Sequence, residues 1–366
     1  MKSNRLQRNQ NESETREELV SLTKELISFR TVRGDQKEFE DAFSYIINYF
    51  SDTELEIFEH EKEDFKTLVA ATDEDPEIML HGHVDVVDAD EEMFEPIEKD
   101  GRIYGRGSAD MKSGLACLMK AMKNLPEDSS VGLMIVSDEE IGGFRGAQYL
   151  MQKGVYNPDF ALSAEPRTQG EQMEIVTDQK GIMRIVISAE GEGAHGSRPW
   201  EGENAAEKLW EKFEEVKENF RIEKDSWNST VNLGYFNADG AMNVVPDYAE
   251  AWLDVRCTEE YPPEEIVADL KQIEDLDFEV EAKDPALKTS RENEKVQRLK
   301  KKAENHSEID FSREKGASDM RHFSQQGIAA VVIGPKGGNI HGQDEYVEKE
   351  SMEKFYKIIH EFVSGE

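Results

Sequence analysis

EIMLHGHVDVV (77–87), MKSGLACLMKAMK (111–123) and VGLMIVS (131–137) read as a buried strand, an apolar-faced helix and a second buried strand. In the middle segment Met111, Leu115, Leu118, Met119 and Met122 share one helical face. TLVAA (67–71), FALSAE (160–165) and AAVVIG (329–334) have the same strand texture as the two flanking runs. Strands alternating with helices predict an α/β sheet with helices on its faces. Upstream, EELVSLTKELISF (17–29) and EFEDAFSYIINYF (38–50) read as amphipathic helices, and residues 1–14 as a disordered tail.

The texture changes over residues 178–285. GIMRIVISAEG (181–191), STVNLGYFNAD (229–239), YAEAWLDVRC (248–257) and LDFEVEA (276–282) are strands. ENAAEKLWEKFEEVKENF (203–220) and PPEEIVADLKQIE (262–274) are helices. The resulting order β-α-β-β-α-β is a layer of its own, inserted into a domain formed by residues 15–177 and 286–366. AAVVIG resumes the first texture after it.

Composition narrows the function. With 44 Lys+Arg against 79 Asp+Glu, the net charge is −35. Such a surface repels nucleic acid and anionic membranes, so neither is an expected partner. It also suits high salt, although lysine is not depleted. The two cysteines, Cys117 and Cys257, form no metal-binding or redox pattern and favour a reducing compartment. No apolar run approaches the ~18 residues of a membrane span, and the cytoplasm is the expected location.

In open α/β sheets ligands collect at the carboxyl ends of the strands. Here those ends carry His81-Gly82-His83-Val84-Asp85, Asp138-Glu139-Glu140, Glu165 and, after a glycine loop, His341; GRGSAD delivers Asp110 just before a helix. Taken singly, Asp110 reads as a helix cap, Glu139 and Glu140 as solvated loop charges, and His341 as a loop histidine. Their conjunction at successive strand ends, in a chain with only 8 histidines, points instead to a hydrolytic metal site.

HGHVDVV, GRIYGRGSADMKSG, SDEEIGG, SAEP and NIHGQDEYV resemble, in order and spacing, the zinc metallopeptidase and deacylase family of acetylornithine deacetylase, succinyl-diaminopimelate desuccinylase and glutamate carboxypeptidase. The resemblance runs from about Glu17 to the C-terminus. It implies a mixed-sheet α/β/α catalytic domain with an inserted ferredoxin-like lid and dimerisation domain, and two zinc ions, for which cobalt or manganese are substitutes. On the family pattern His83 is a metal ligand, Asp85 steadies it, and His81 has no metal role. Asp110 bridges the two ions, with His83 and Glu165 completing one and Glu140 and His341 the other. Glu139 is the general base. A His-x-His amidohydrolase barrel is the rival reading, weakened by the absence of eight βα repeats.

In the inserted layer, the resemblance makes His195 an oxyanion stabiliser and Asn243 and Arg256 contacts for the substrate carboxylate; Ser318 in GASDMRHF matches a pocket loop. Without it, His195 reads as a turn histidine, Asn243 as a strand-end turn and Arg256 as half of a surface ion pair. The implied substrate is a small N-acyl amino acid or a dipeptide, and the implied assembly a homodimer through the inserted domain. QKGIMRI replaces the Arg-Arg-Gly-Ser stretch of desuccinylases and HGQDEYV is closer to the deacetylase and carboxypeptidase pattern, which demotes a desuccinylase; an acetylornithine-deacetylase-like deacylase leads, with a carboxypeptidase or dipeptidase as runner-up. A non-catalytic binding relative is disfavoured because all five ligand positions, Asp85 and Glu139 are present.

Overall fold

The structure, a computed structural model, describes residues 2–166 and 172–365, with side chains from residue 13 onward. The chain divides into two compact units. One comprises Met1–Asp178, Thr289–Glu314 and Ser318–Glu366, and the other Gln179–Lys288 with Lys315–Ala317.

The first unit is built on a mixed sheet. Val131–Val136, Ile78–His83, Phe160–Ser163 and Ala329–Val332 lie side by side in that order and are parallel. Phe65–Ala71 adds to Val131–Val136 antiparallel, and Glu56–Lys62 adds outside it, again antiparallel. On the other side Glu174–Gln179 meets Ala329–Val332 antiparallel. The four parallel strands are almost wholly buried, which is why they read as continuous apolar runs without alternation. Their shared direction puts all their carboxyl ends at one edge of the sheet.

Helix Ser113–Lys123 packs between Lys2–Ser28 and Lys349–Val363. Every residue from Ser113 to Met122 is buried, and the small Gly114, Ala116, Cys117 and Ala121 fit between larger neighbours. Leu26, Ile27, Leu80, Leu115, Leu118, Leu133, Phe160, Phe355 and Phe362 make up much of the surrounding core. Lys2–Ser28 begins earlier than the sequence suggested, so the backbone of residues 2–14, read as a disordered tail, is helical. No proline or glycine interrupts this stretch, and its Arg, Gln, Glu and Leu residues are good helix formers. Among the described residues no helix is long and apolar enough to cross a membrane.

In the second unit the strands Gly181–Glu190, Thr230–Ala238, Tyr248–Cys257 and Asp277–Asp284 form an antiparallel sheet. Tyr248–Cys257 and Gly181–Glu190 are central, and Thr230–Ala238 and Asp277–Asp284 are the edges. Gly181–Glu190 alternates buried and accessible residues, as a sheet covered on one face should. Its covered face packs on Leu209, Phe213 and Val216 of helix Ala205–Glu218 and on Ile266 and Leu270 of Pro263–Leu270.

Candidate metal centre

The parallel strands deliver His83, Glu139, Glu140 and Glu165 to one edge of the first unit, and two loops bring Asp110 and His341 to them. Asp110 does not cap a helix. It lies in an irregular turn, Ser108–Lys112, with non-helical backbone angles, and the helix that follows has no side-chain cap. Its two carboxylate oxygens face different histidines. Oδ1 is 3.2 Å from His83 Nε2, and Oδ2 is 3.6 Å from His341 Nε2. His341 Nε2 is also 3.1 Å from Glu140 Oε1. The ligand atoms of Asp110, Glu140 and His341 all lie within 4.8 Å of one another, a group that could hold a metal ion.

Asp85 supports this group in two ways. Its backbone carbonyl is 2.9 Å from His83 Nδ1, fixing the imidazole with Nε2 toward Asp110, whereas its carboxylate Oδ1 is farther away, at 3.5 Å. The other carboxylate oxygen accepts the Glu140 backbone N–H at 2.9 Å, which ties the Glu139-Glu140 turn to the histidine strand. Glu165 is held at the rim, its Oε1 accepting from the Ser163 hydroxyl at 2.8 Å. The tight grouping of Asp110, Glu140 and His341 does not include it.

The charges are unbalanced. Five carboxylates (Asp85, Asp110, Glu139, Glu140, Glu165) gather around two imidazoles. Burial raises Glu139 well above the usual carboxylate range, the Glu165 charge adding to the effect. Burial and then Asp110 push Glu165 up to about 8. Asp110 itself resists burial and stays below the usual range, because His341 and His83 hydrogen-bond to it. His341 is pushed up to about 10, by its hydrogen bonds to Asp110 and Glu140. A carboxylate-rich donor set with imidazoles beside it is the chemistry that bound metal neutralises.

A buried clamp, not anticipated from sequence, joins the two loops. Glu345 is wholly buried; its Oε2 is 2.6 Å from Arg106 Nη1, and Oε1 accepts the N–H groups of Ala109 at 2.9 Å and Asp110 at 3.1 Å. Arg106 Nη2 donates to the His341 carbonyl at 3.1 Å. His341 has a φ of +61°, a conformation costly for a residue with a Cβ, and this contact helps to hold it.

Of the remaining sequence candidates, one lies in the first unit and three in the second. Ser318 is buried in the first unit, and its Oγ accepts the Met320 N–H at 3.4 Å. In the second unit His195 is exposed, its Nδ1 2.8 Å from Ser197 Oγ. The Asn243 carbonyl accepts the Gly196 N–H at 2.7 Å, so the turns bearing His195 and Asn243 are adjacent. Arg256 pairs with Asp254 two residues back on the same strand face, Nε to Oδ1 at 2.7 Å and Nη2 to Oδ2 at 3.2 Å. That is the ion pair its bland reading predicted.

Several known proteins share the fold. A tripeptidase from Staphylococcus aureus superposes with a TM-score of 0.79 at 22% identity, over 95% of this chain and 98% of that one. A metallo-carboxypeptidase from Sulfolobus solfataricus gives 0.77 at 17% identity, with the same coverage. A succinyl-diaminopimelate desuccinylase from Nautilia profundicola is 28% identical over 94% of this chain and 98% of its own length, and one from Sulfurimonas denitrificans is 28% identical over 93% and 97%. Residues 79–365 match the sequence model of Peptidase family M20/M25/M40. With that match spanning most of the chain and a mixed α/β fold shared along its length, the protein belongs to this peptidase family and is a hydrolase of amide bonds.

Proposed function

We propose that the chain is a dinuclear zinc deacylase that removes the acyl group from an N-acyl amino acid with a free carboxylate. The observation that carries this reading is the Asp110 carboxylate, whose two oxygens face His83 and His341 separately. His83, Asp110 and Glu165 would hold one ion, and Asp110, Glu140 and His341 the other. When bound, zinc supplies a Lewis acid that polarises the amide carbonyl and acidifies water. Glu139 takes the proton of the attacking water and hands it to the departing amine, a role suited to a carboxyl that burial raises above the usual range and worth roughly 10²–10⁴-fold in rate. His195 stabilises the tetrahedral oxyanion, and Asn243 and Arg256 bind the substrate carboxylate once Arg256 leaves Asp254. The inserted unit pairs two copies of the chain, and the enzyme works in the cytoplasm.

An acetyl or similarly short acyl group fits the absence of an Arg-Arg-Gly-Ser stretch at Gln179–Ile185. A succinyl group is the second reading, favoured by the desuccinylase names of the full-length relatives. Hydrolysis of acetyl-, succinyl- and formyl-amino acids and of dipeptides, with added zinc at low and high salt, decides between them. Turnover of N-acyl amino acids above that of dipeptides supports the deacylase, and turnover of none refutes it.

A further inference from the structure

His81 has no place in the family's ligand pattern, yet it is one of the most completely enclosed polar side chains in the first unit. It stands on strand Ile78–His83 directly opposite Ser163 of Phe160–Ser163, so both side chains project from the same face of the sheet. Its Nδ1 is 3.3 Å from Ser163 Oγ, and Ser163 Oγ donates to Glu165 Oε1 at 2.8 Å. On the other side its Nε2 is 3.2 Å from Asp319 Oδ2, and both partners are fully buried. Phe323 closes the pocket, its ring set edge-on to the imidazole with centroids 6.2 Å apart.

The order of these contacts has a direction. A serine hydroxyl carries one proton. If Ser163 donates it to Glu165, its oxygen is left to accept from His81 Nδ1–H. With a hydrogen on Nε2 as well, the ring also faces the Asp319 carboxylate, and the two contacts together fix its rotation. Asp319 is itself tightly enclosed. His322 Nε2 is 3.6 Å from its Oδ1, and a Cβ on Gly143 would lie only 1.9 Å from that oxygen. Gly143 follows the Glu139-Glu140 turn, and the carbonyl beside it, that of Gly142, accepts from Arg321 Nη2 at 2.6 Å. The carboxylate behind His81 is thus packed against the turn that carries the proposed base.

We propose that His81 is a positioning residue: backed by Asp319, it orients Ser163, whose hydroxyl aims the Glu165 carboxylate at the metal. The inference rests on the zinc-site reading above, and adds to it a four-member line, Asp319–His81–Ser163–Glu165, that serves one ion and not the other. Groups behind metal ligands commonly contribute 10–100-fold to metal affinity.

The test follows zinc loss from the loaded protein to a chromophoric chelator, in the wild type, Ser163→Ala, His81→Gln and the double variant. Wild-type zinc binding together with turnover establishes the underlying reading independently of the variants, and a wild type that takes no zinc overturns both. The expected result is a 10–100-fold weakening of one class of site in each single variant, with the other class unchanged. The double variant should be no weaker than the weaker single one, because both substitutions interrupt the same line. Wild-type zinc affinity in Ser163→Ala, or losses that multiply in the double variant, would overturn the proposal. Ser163→Ala removes only a hydroxyl, so it can overturn the line even if His81→Gln does not fold.

Discussion

Replacing Glu345 by alanine should destabilise the first unit and disconnect the two loops that carry Asp110 and His341. The wild-type carboxylate takes three donors, the Arg106 guanidinium and the N–H groups of Ala109 and Asp110. Truncation strands a buried guanidinium, which typically costs about 3–5 kcal/mol. Each orphaned amide adds about 1–3 kcal/mol where water cannot reach it, and these contributions overlap because the groups share one partner. A loss of at least about 3 kcal/mol is therefore expected. The double variant Arg106→Met with Glu345→Leu removes both charges, and replacing a buried pair by apolar residues is often neutral. It should regain the share lost to the stranded guanidinium but neither the share lost to the Ala109 and Asp110 amides nor the activity, since nothing then fixes the Asp110 amide or the His341 carbonyl.

The probe for this experiment is dictated by the sequence. Trp200, Trp210, Trp227 and Trp252 all fall within Gln179–Lys288, so tryptophan fluorescence reports the second unit. Urea unfolding of the first unit should be followed by hydrogen exchange at the amides of its buried strands Ile78–His83 and Val131–Val136, with turnover measured in parallel. A loss below about 1 kcal/mol in Glu345→Ala would refute the reasoning. So would a double variant that recovers stability and full activity together.

Three further outcomes are expected. Although burial opposes it, the contacts with His81 and then His322 and Arg321 hold Asp319 down to about 2. Its ionised form therefore stabilises the fold above about pH 4, and that stability drains away as pH falls toward 2; Asp319→Asn should flatten the acid limb of the stability curve, and an unchanged limb would contradict the assignment. Gly154→Ala, at φ +61° with open space around it, should cost about 1 kcal/mol, whereas Gly143→Ala, at φ +64° and against Asp319, should cost clearly more and impair turnover; equal losses would argue against the packing described. Burial lifts both thiols, that of Cys257 up to about 12, so a disulfide reagent at pH 8 should find no reactive thiol in the native protein and two after unfolding.

How much of this was legible in the sequence depended on whether a residue's role was local. The strand and helix runs around residues 77–137 were readable because periodicity and burial are properties of a short window. The residues at the strand ends stood out because His, Asp and Glu rarely end apolar runs. Glu345 did not stand out: it is one acid among 79, and only its burial opposite Arg106, more than two hundred residues away, distinguishes it. His81 looked idle because its partners, Ser163 and Asp319, become neighbours only when the sheet forms. Ser318 was chosen from its motif, which gave no sign of the contact between the adjacent Asp319 and His81. The bidentate Asp254–Arg256 pair was foreseeable, since residues two apart on a strand share a face.

The proposed chemistry turns on one carboxyl that works without holding metal. Glu139→Gln keeps the size of the side chain and removes its ability to take a proton, and Glu140, Asp110 and His341 remain in place. Zinc content and kcat should be measured on the same preparation of this variant. Zinc equal to that of the wild type, with kcat reduced by roughly 10²–10⁴-fold, is the predicted result. Full turnover in the variant, or a loss of zinc that accounts for the loss of rate, would contradict it.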